Sequence, residues 1–261
     1  MTEASQSPTG KFVWYEYMGP DLEGAAEFYA HVVGWTVKDS GMAGFPYKVA
    51  SVGDHGVAGL MTLTEDAKAM GVPPCWSGYV YVPDVDAGVK AVEAKGGRLM
   101  SGPMEIPGVG RFAVVADPYG AVYMIFKDAG GNPPPAPAAE TPGLVGWREL
   151  QAGDGAGAFD FYSSLYGWKK DGEFDMGPMG VYHLFSSAPG EGGGMMNRAP
   201  QAPGNFWAYY FNVDAIGAAI ERLTAKGGKV AFGPNQVPGG LWTVRAIDPQ
   251  GAYFALLSPN A

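Results

Sequence analysis

Two glutamates occupy a repeated setting that is suited to proton transfer. Glu16 and Glu149 each follow a tryptophan, Trp14 or Trp147, by two residues. Residues 11–18 are rich in aromatic and β-branched side chains, which predicts a strand, and alternation then puts each tryptophan and its glutamate on one face. A carboxylate beside an indole is suited to general acid–base chemistry, and the tryptophans are suited to contact a planar or apolar ligand. The alternative is structural, with each glutamate pairing with a backbone donor or an arginine.

Other side chains favour binding over proton transfer. The hydroxyls of Tyr79 and Tyr210 are suited to hold a polar ligand, or else both rings belong to an ordinary aromatic core. Met124 fits an adaptable apolar wall of a ligand site, or again the core. His183 is a further candidate for ligand binding, but an internal duplication aligns it with Lys48, which favours a solvent-facing position.

The elements that must position these residues occur twice in the sequence. Residues Trp14–Trp35 align with Trp147–Trp168 with nine of 22 positions identical, and Ala94–Phe126 align with Ala225–Leu257. Such internal similarity indicates a duplicated unit. The Pro- and Ala-rich segment between the copies is typical of a linker. The predicted organisation is a disordered tail at 1–10, domains at 11–127 and 144–261, and a linker at 128–143.

Within the first copy, helical and strand patterns alternate. Asp21 is a good N-cap for a helix that ends at Gly34, and a second helix is predicted from about Asp84 to Lys95. Each half therefore contains two β-α-β-β-β-like units, which predicts an α+β fold. The glycine-rich segment 190–194 is predicted to be a hairpin turn. Strands are predicted at 11–18, 47–51, 57–63, 76–82, 112–116 and 121–127.

The composition restricts the class of protein and partner. A formal net charge of −9 without a basic stripe makes nucleic acid an unexpected partner. No apolar run approaches the roughly 18 residues of a membrane-spanning helix, and residues 1–10 lack the apolar region of a secretory signal. One cysteine and three histidines are too few for a disulfide framework or a histidine-rich metal centre. We therefore expect a soluble, cytoplasmic protein that does not bind membranes.

Several motifs resemble the vicinal-oxygen-chelate superfamily, the group of glyoxalases, bleomycin-resistance proteins and extradiol dioxygenases. They are D-L-x-x-A-x-x-F-Y-x-x-x-x-G-W at 21–35, V-D-A at 85–87, and the turns D-P-Y-G-A at 117–121 and D-P-Q-G-A at 248–252. The sequence is most similar to the tandem, actinobacterial-type glyoxalase-like subgroup. The resemblance implies two tandem domains, each of two βαβββ units curled into an open β-cup that holds a divalent metal and a small oxygenated ligand.

The resemblance also implies three metal ligands in each cup, and this sequence departs from that pattern. The corresponding positions hold Trp14, Ser77 and Met124 in the first half, and Trp147, Ala208 and Ala255 in the second. Hard divalent ions take imidazole or carboxylate ligands, which these side chains lack. We therefore expect no cofactor, without excluding a divalent metal that is bound in another way.

Three functions fit a cup without the usual metal ligands. The first is a glyoxalase- or bleomycin-resistance-like protein that binds or sequesters a small organic molecule. The second is a metal-independent or unusually ligated glyoxalase-like lyase or isomerase that uses Glu16 or Glu149 as acid or base. The third is a protein-interaction module. The duplication allows either a monomer with an internal pseudo-dimer or a homodimer.

The two halves differ in side-chain size at the ligand positions. Ser77 and Met124 in the first half correspond to Ala208 and Ala255 in the second. If each cup draws on both halves, as in paired members of the superfamily, Trp14 combines with the two alanines and has more room. The sequence then predicts one functional pocket, on the Trp14 side.

Overall fold

A computed structural model of the protein describes residues 9–42, 44–130, 136–199, 202 and 204–261. Of the predicted tail, residues 1–8 lie outside the described residues, as do residues 131–135 of the predicted linker. The first repeat contains β1 Phe12–Gly19, α1 Leu22–Val33, β2 Thr36–Asp39, β3 Tyr47–Val52, β4 His55–Thr62, α2 Glu65–Ala69, β5 Cys75–Tyr81, α3 Val85–Ala94, β6 Arg98–Ile106, β7 Gly110–Ala116 and β8 Val122–Asp128. The second contains β9 Val145–Ala152, α4 Gly155–Tyr166, β10 Lys169–Asp175, a 3-10 turn Gly177–Met179, β11 Val181–Ala188, β12 Glu191–Asn197, β13 Phe206–Asn212, α5 Ile216–Ala225, β14 Lys229–Gln236, β15 Trp242–Ile247 and β16 Tyr253–Ser258.

The strands form two eight-stranded sheets, one from each repeat. Their orders are β2-β3-β4-β1-β5-β8-β7-β6 and β10-β11-β12-β9-β13-β16-β15-β14. Two βαβββ units per sheet confirm the predicted α+β class. Because consecutive elements tend to remain neighbours, β1, β5 and β8 share the first sheet. The idea that Trp14 combines with the alanines of the second repeat is therefore wrong, and those alanines share a sheet with β9.

The chain divides into two compact units, each of which takes one βαβββ module from each repeat. Unit 1 is drawn from residues 1–14, 77–133 and 148–207, and unit 2 from residues 15–76, 134–147 and 208–261. The domain boundaries expected from the sequence stay a prediction.

Capping residues explain where the first predicted helices begin and end. The carboxylate of Asp21 accepts a hydrogen bond from the backbone N–H of Gly24 at 3.0 Å, which satisfies a free donor of the first turn of α1. Gly34 ends the helix in the left-handed region with a φ of 89°, a conformation that favours glycine. Asp84 caps α3 in the same way through Ala87. Both predicted helices are thus confirmed.

Each unit has a buried relay of three side chains at its core. In unit 2, Trp76 donates from Nε1 to the Tyr29 hydroxyl at 2.9 Å, and that hydroxyl donates to Oδ2 of Asp248 at 3.1 Å. Tyr29 belongs to α1, and Asp248 opens the turn before β16. Because buried polar groups need partners, this relay ties a helix, a strand and a turn together.

Unit 1 repeats the relay with the corresponding residues. Trp207 donates to the Tyr162 hydroxyl at 3.1 Å, and Tyr162 donates to Oδ2 of Asp117 at 3.2 Å. Burial raises the pKa of Asp117, although hydrogen bonds to its carboxylate oppose the rise. The duplicated aromatic and aspartate motifs of the sequence therefore hold the fold.

Some strands and one turn were not predicted correctly from the sequence. The strands β2 and β6 are largely exposed, so they lack the apolar alternation that marks a half-buried strand. Glycines 192–194, expected in a turn, lie instead within β12, and the turn falls at residues 189–190. The reason is steric, because rings of β11 fill the places where Cβ atoms of Gly193 and Gly194 would lie.

Candidate functional site

One side of β13–β16 faces away from the helices, and we call it the second-repeat face. Phe211 of β13 packs against Trp35 with ring centroids 4.9 Å apart, so alternation turns Tyr210 to the opposite side. Phe254 of β16 packs against an aromatic ring of α1 at 5.3 Å, so Ala255 also turns away from that helix. The second-repeat face is made of Ala208, Tyr210, Arg245 and Ala255.

Arg245 is oriented on this face by two aromatic residues. The strand ladder sets Tyr210, Ala255, Arg245 and Phe232 in one row across β13, β16, β15 and β14. The Nε–H of Arg245 donates to the Tyr210 hydroxyl at 3.0 Å, so the arginine reaches past the small side chain of Ala255. Its Cζ lies 5.6 Å from the ring centroid of Phe232, within the range of a cation–π interaction. Arg245 is therefore held between a hydroxyl and an aromatic ring.

The strands that carry this row contain no acidic residue. Among their residues, all of which are described, Lys229 and Arg245 are charged and none is Asp or Glu. The whole chain has a net charge of −9. These four strands, which carry no acidic residue, differ from the rest of the chain in this respect. A guanidinium on such strands favours the approach of an anion.

The three positions at which the resemblance implies metal ligands lie together in unit 2. Trp147 of β9 is half-buried, and Ala208 and Ala255 are buried. An indole and two methyl groups offer no lone pair that a hard divalent ion accepts. Within the described ranges, no three His, Cys, Asp or Glu side chains are grouped so that they could hold a metal ion.

Glu149 belongs to unit 1, where both of its carboxylate oxygens accept hydrogen bonds. Gln151 donates from Nε2 to Oε1 at 2.7 Å, and the Tyr182 hydroxyl donates to Oε2 at 3.0 Å. The Tyr182 ring covers Gly194, where a Cβ atom would come within 2.1 Å of the ring. Since a buried carboxylate is costly without donors, these two bonds fix the position of Glu149.

Glu16 has a related setting in unit 2. It is buried on β1, and Tyr47 of β3 covers Gly59, where a Cβ atom would lie 1.7 Å from the tyrosine oxygen. Two residues after Glu16 the chain carries Met18, whereas two residues after Glu149 it carries Gln151. The amide donor of the second repeat is thus replaced by a thioether.

The corresponding side of β5–β8, in unit 1, has a row without a charged side chain, and its Tyr79 and Met124 are buried to the same degree as Tyr210 and Ala255. Tyr79, Met124, Val114 and Ser101 form the row that corresponds to the one containing Arg245. Tyr79 and Met124 are buried, and the rings of Phe112 and Phe126 lie 6.0 and 5.9 Å from that of Tyr79. The first-repeat face is made of Ser77, Tyr79, Val114 and Met124.

Two further predicted site residues lie apart from these groups. His183 stacks on Phe159 of α4 at a centroid distance of 6.4 Å, and its Nδ1 lies 3.8 Å from Oε2 of Glu173. Alternation therefore puts it on the opposite side of β11 from Tyr182, toward the helix. Trp14 is half-buried in unit 1.

Comparison with known proteins identifies the family. The sequence model of the Glyoxalase/Bleomycin resistance protein/Dioxygenase superfamily matches residues 11–132 and 144–256. The chain belongs to this superfamily. Both matched segments coincide with the two eight-stranded sheets, so each repeat is one copy of the superfamily fold.

Two named relatives in this superfamily match almost the whole chain. "Putative glyoxylase CFP32" of Mycobacterium bovis is 31% identical over 99% of this chain and 98% of its own. "Anthracycline biosynthesis protein DnrV" of Streptomyces peucetius is 30% identical over 95% of this chain and 93% of its own. The two names describe different roles, so they support the superfamily and not one activity.

A solved structure shows the same fold. The Mn(II)-bound glyoxalase from Novosphingobium aromaticivorans superimposes with a TM-score of 0.66 at 17% identity, over 98% of this chain and 84% of that one. That superfamily member holds Mn(II), but the donor set of Trp147, Ala208 and Ala255 in this chain does not fit such an ion. No helix in the described part of the chain is long and apolar enough to cross a membrane.

Some contacts at the site could not be read from the sequence. The pairing of Arg245 with Tyr210 depends on strand register, and no motif marks it. The contact of Tyr182 with Glu149 has a weak signal, since a glycine pairs with the glutamate in both repeats, Gly59 with Glu16 and Gly194 with Glu149. A glycine within a strand often marks a close approach by another group.

Proposed function

We propose that this member of the superfamily binds a small organic molecule without a metal ion, at the second-repeat face. The observation that carries the proposal is the donor set at Trp147, Ala208 and Ala255, an indole and two methyl groups. Such groups favour contact with the carbon atoms of a ligand over coordination of an ion. The protein then uses the sheet framework of its superfamily for binding or sequestration.

The choice of the second-repeat face rests on side-chain size and polarity. At the position of Ala255 the first repeat has the buried thioether of Met124, packed beside Tyr79. The second repeat has a methyl group there and adds the polar Arg245. Ligand sites are mostly apolar with a few well-placed polar groups, which is the composition of the second-repeat face.

Trp147 lies on β9, the strand next to β13 of the second-repeat face, and is the residue proposed to contact the flat part of the ligand. It is half-buried, so part of its indole surface is available for contact. Aromatic side chains contribute apolar area and prefer offset or edge-on contacts with other rings. A planar aromatic molecule is therefore a suitable probe.

Elemental analysis and calorimetric titration with 2-naphthol test this function. We expect no stoichiometric metal after dialysis, and 2-naphthol binding that is unchanged by EDTA. Trp147→Leu should weaken binding about tenfold through lost ring contact. The matched variant Trp14→Leu should change it by less than about twofold. Stoichiometric metal, loss of binding in EDTA, or an effect confined to Trp14→Leu would overturn the proposal.

A second candidate function is glyoxalase-type proton transfer without a metal, and the contacts of Glu149 favour it. Its carboxylate is held by Gln151 and Tyr182, and a positioned carboxylate is what a general base requires. The probe is the hemithioacetal of methylglyoxal and glutathione. Glu149→Gln should lower turnover by about 10²- to 10⁴-fold. Absence of turnover in the parent protein, or turnover that survives both Glu149→Gln and Glu16→Gln, would contradict this candidate.

A further inference from the structure

We propose a second ligand site in the first repeat, an open pocket at the connection between β2 and β3 that takes an uncharged planar aromatic molecule. We call it the loop pocket. It is lined by residues 39–42 and 44–47 and has a volume of about 390 Å³, which is within the range of small-molecule sites. The loop pocket belongs to the sheet of β1–β8, so it is separate from the second-repeat face and does not rest on the proposed function.

Exposed apolar side chains line the loop pocket. Met42 and Phe45 have exposed fractions of 38% and 42%, and Pro46 lies next to Phe45 in the lining. Single exposed apolar residues are common, whereas a group of them around one concave surface is typical of a binding site. An apolar ligand that covers these side chains removes their surface from water, which favours binding.

Backbone hydrogen bonds give the loop pocket its shape without a ligand. The N–H of Ser40 donates to the C=O of Tyr47 at 2.9 Å, which closes the base of the connection. The N–H of Phe45 donates to the C=O of Met42 at 3.3 Å, so these two residues stand at the ends of one turn. The Ser40 hydroxyl accepts from the N–H of Met42 at 3.2 Å. A preformed site loses less conformational entropy when it binds a ligand.

The aromatic pair of the loop pocket indicates a flat ligand. The rings of Phe45 and Tyr47 are stacked, with centroids 6.0 Å apart and an interplanar angle of 27°. Tyr47 is half-buried and covers Gly59, so the sheet fixes its ring, while the ring of Phe45 is exposed. A flat ring that lies against Phe45 extends this stack with offset contacts. Met42 adds a thioether, which makes favourable contacts with ring edges.

The charge of the lining favours an uncharged ligand. Asp39 is the charged residue among those that line the loop pocket, and its carboxylate accepts a hydrogen bond from Nζ of Lys48 at 3.0 Å. An anionic ligand would lie close to this carboxylate, and a cationic ligand would have to compete with Lys48. A ligand without charge meets neither cost.

The second repeat shows that the fold does not require an aromatic ring in this connection. Between β10 and β11 the chain forms the 3-10 turn Gly177–Met179, and the N–H of Met176 donates to the C=O of Gly180 at 2.8 Å. Residues 176–180 include no aromatic side chain, whereas the connection of the first repeat contains Phe45. Since the second repeat forms the same pair of strands without such a ring, we infer that Phe45 serves binding.

Nuclear magnetic resonance of methionine methyl groups during titration with 2-naphthol tests the inference. The signal of Met42 is assigned by its loss in Met42→Leu. 2-Naphthol should shift this signal to saturation, because an aromatic ring then lies beside the methyl group. The signal of Met70 should not move, since Met70 is 69% exposed but does not line the loop pocket. Added salt should not change the affinity, because the ligand carries no charge.

Variants of Phe45 test the aromatic contact. Phe45→Ser should weaken the affinity measured at Met42 about tenfold, because the ring contact is lost. Phe45→Tyr keeps the ring and should bind within about twofold of the parent protein, so it keeps the test valid if Phe45→Ser alters the loop. The matched control is Phe174→Ser on β10, which removes a phenylalanine that is 44% exposed and should leave the affinity unchanged.

Three results would overturn the inference. The first is a Met42 signal that does not move, or that moves only together with the signal of Met70. The second is an equal affinity in the parent protein and in Phe45→Ser. The third is tighter binding of 2-naphthoate than of 2-naphthol at Met42, which would show that the ligand class is not uncharged.

The variant Trp147→Leu separates this inference from the proposed function, and it should leave the response of Met42 unchanged. If Met42 responds but calorimetric binding is the same with and without Trp147, the proposed function fails and the loop pocket stands. If binding needs Trp147 and the Met42 signal does not move, the proposed function stands and the loop pocket is wrong. Loss of the Met42 response in Trp147→Leu would show one site in place of two, which also overturns the inference.

Discussion

The first-repeat and second-repeat faces share a backbone and a tyrosine but differ in every neighbour of that tyrosine. In the first repeat, the residues in the row beside Tyr79 are Met124, Val114 and Ser101, none of which is charged. In the second repeat, the residues in the row beside Tyr210 are Ala255, the charged Arg245 and Phe232. One strand ladder thus supports a row without charge in one copy and a row with an arginine–tyrosine hydrogen bond in the other.

The two glutamates differ in the same manner. Glu149 is held by the amide of Gln151 and the hydroxyl of Tyr182, while Met18 replaces the amide in the setting of Glu16. In both comparisons the second repeat carries the polar group. A duplication lets one copy keep a position apolar while the other acquires a polar side chain there, because the same position exists twice in the chain.

The residues that hold the fold did not diverge. The relay of Trp76, Tyr29 and Asp248 in unit 2 has the same chemistry and bond pattern as that of unit 1. Positions shared by the repeats should therefore respond alike to substitution, and positions that differ should respond differently.

The largest expected effect tests the shared positions. Trp76→Ala and Trp207→Ala each remove a buried indole and its hydrogen bond to tyrosine. Each variant should lower the free energy of unfolding by about 3–5 kcal/mol, from lost burial and the cavity left behind. Urea denaturation followed by far-ultraviolet circular dichroism measures the change. A large loss in one variant alone would show that the two relays are not equivalent.

A smaller effect tests a position where the repeats differ. Gln151→Met gives Glu149 the neighbour that Glu16 has in the first repeat, and removes the donor at 2.7 Å. Because a buried carboxylate then loses one of its partners, the free energy of unfolding should fall by about 1–3 kcal/mol. The reciprocal variant Met18→Gln is the control. An equal loss in both variants would attribute the effect to packing and not to the hydrogen bond.

The smallest effect concerns pH. Burial raises the pKa of Asp117 in the folded chain, so the folded state binds this proton more tightly than the unfolded state does. The free energy of unfolding contributed by Asp117 therefore falls as pH rises from the ordinary aspartate pKa through the raised folded value. Asp117→Asn should remove this part of the dependence of the free energy of unfolding on pH, as measured by thermal or urea unfolding at several pH values. Above that pH window the two stability curves should run parallel, and an unchanged slope within it would contradict the expectation.

Much of the fold could be predicted from the sequence because local chemistry specifies it. Asp21 and Gly34 mark the ends of α1 through capping and left-handed backbone, which depend on few neighbouring residues. The strand β6 could not be predicted, because most of its residues are exposed and do not alternate between buried apolar and exposed polar side chains. Residues 98–106 form a strand because they pair with β7 through backbone hydrogen bonds.

The candidate site was predicted in part. Tyr210, Trp147 and Glu149 were identified by alternation and by resemblance, and their roles stay predictions. The neighbours of Arg245 were decided by the ladder, which sets it beside Ala255 and Phe232. The sequence shows an arginine near a closing strand, but not which side of the strand carries it or which hydroxyl it meets.

The sequence by itself determined the duplication and the superfamily, because residue identity at aligned positions is enough to establish both, and the loss of the metal site stays a prediction. The tertiary structure alone decided that Trp147 shares a sheet with Ala208 and Ala255, that His183 faces a helix, and that Arg245 bonds to Tyr210. These facts depend on strand register, where a slip of one residue turns a side chain to the opposite face. Register is fixed by contacts between residues that are far apart in the chain.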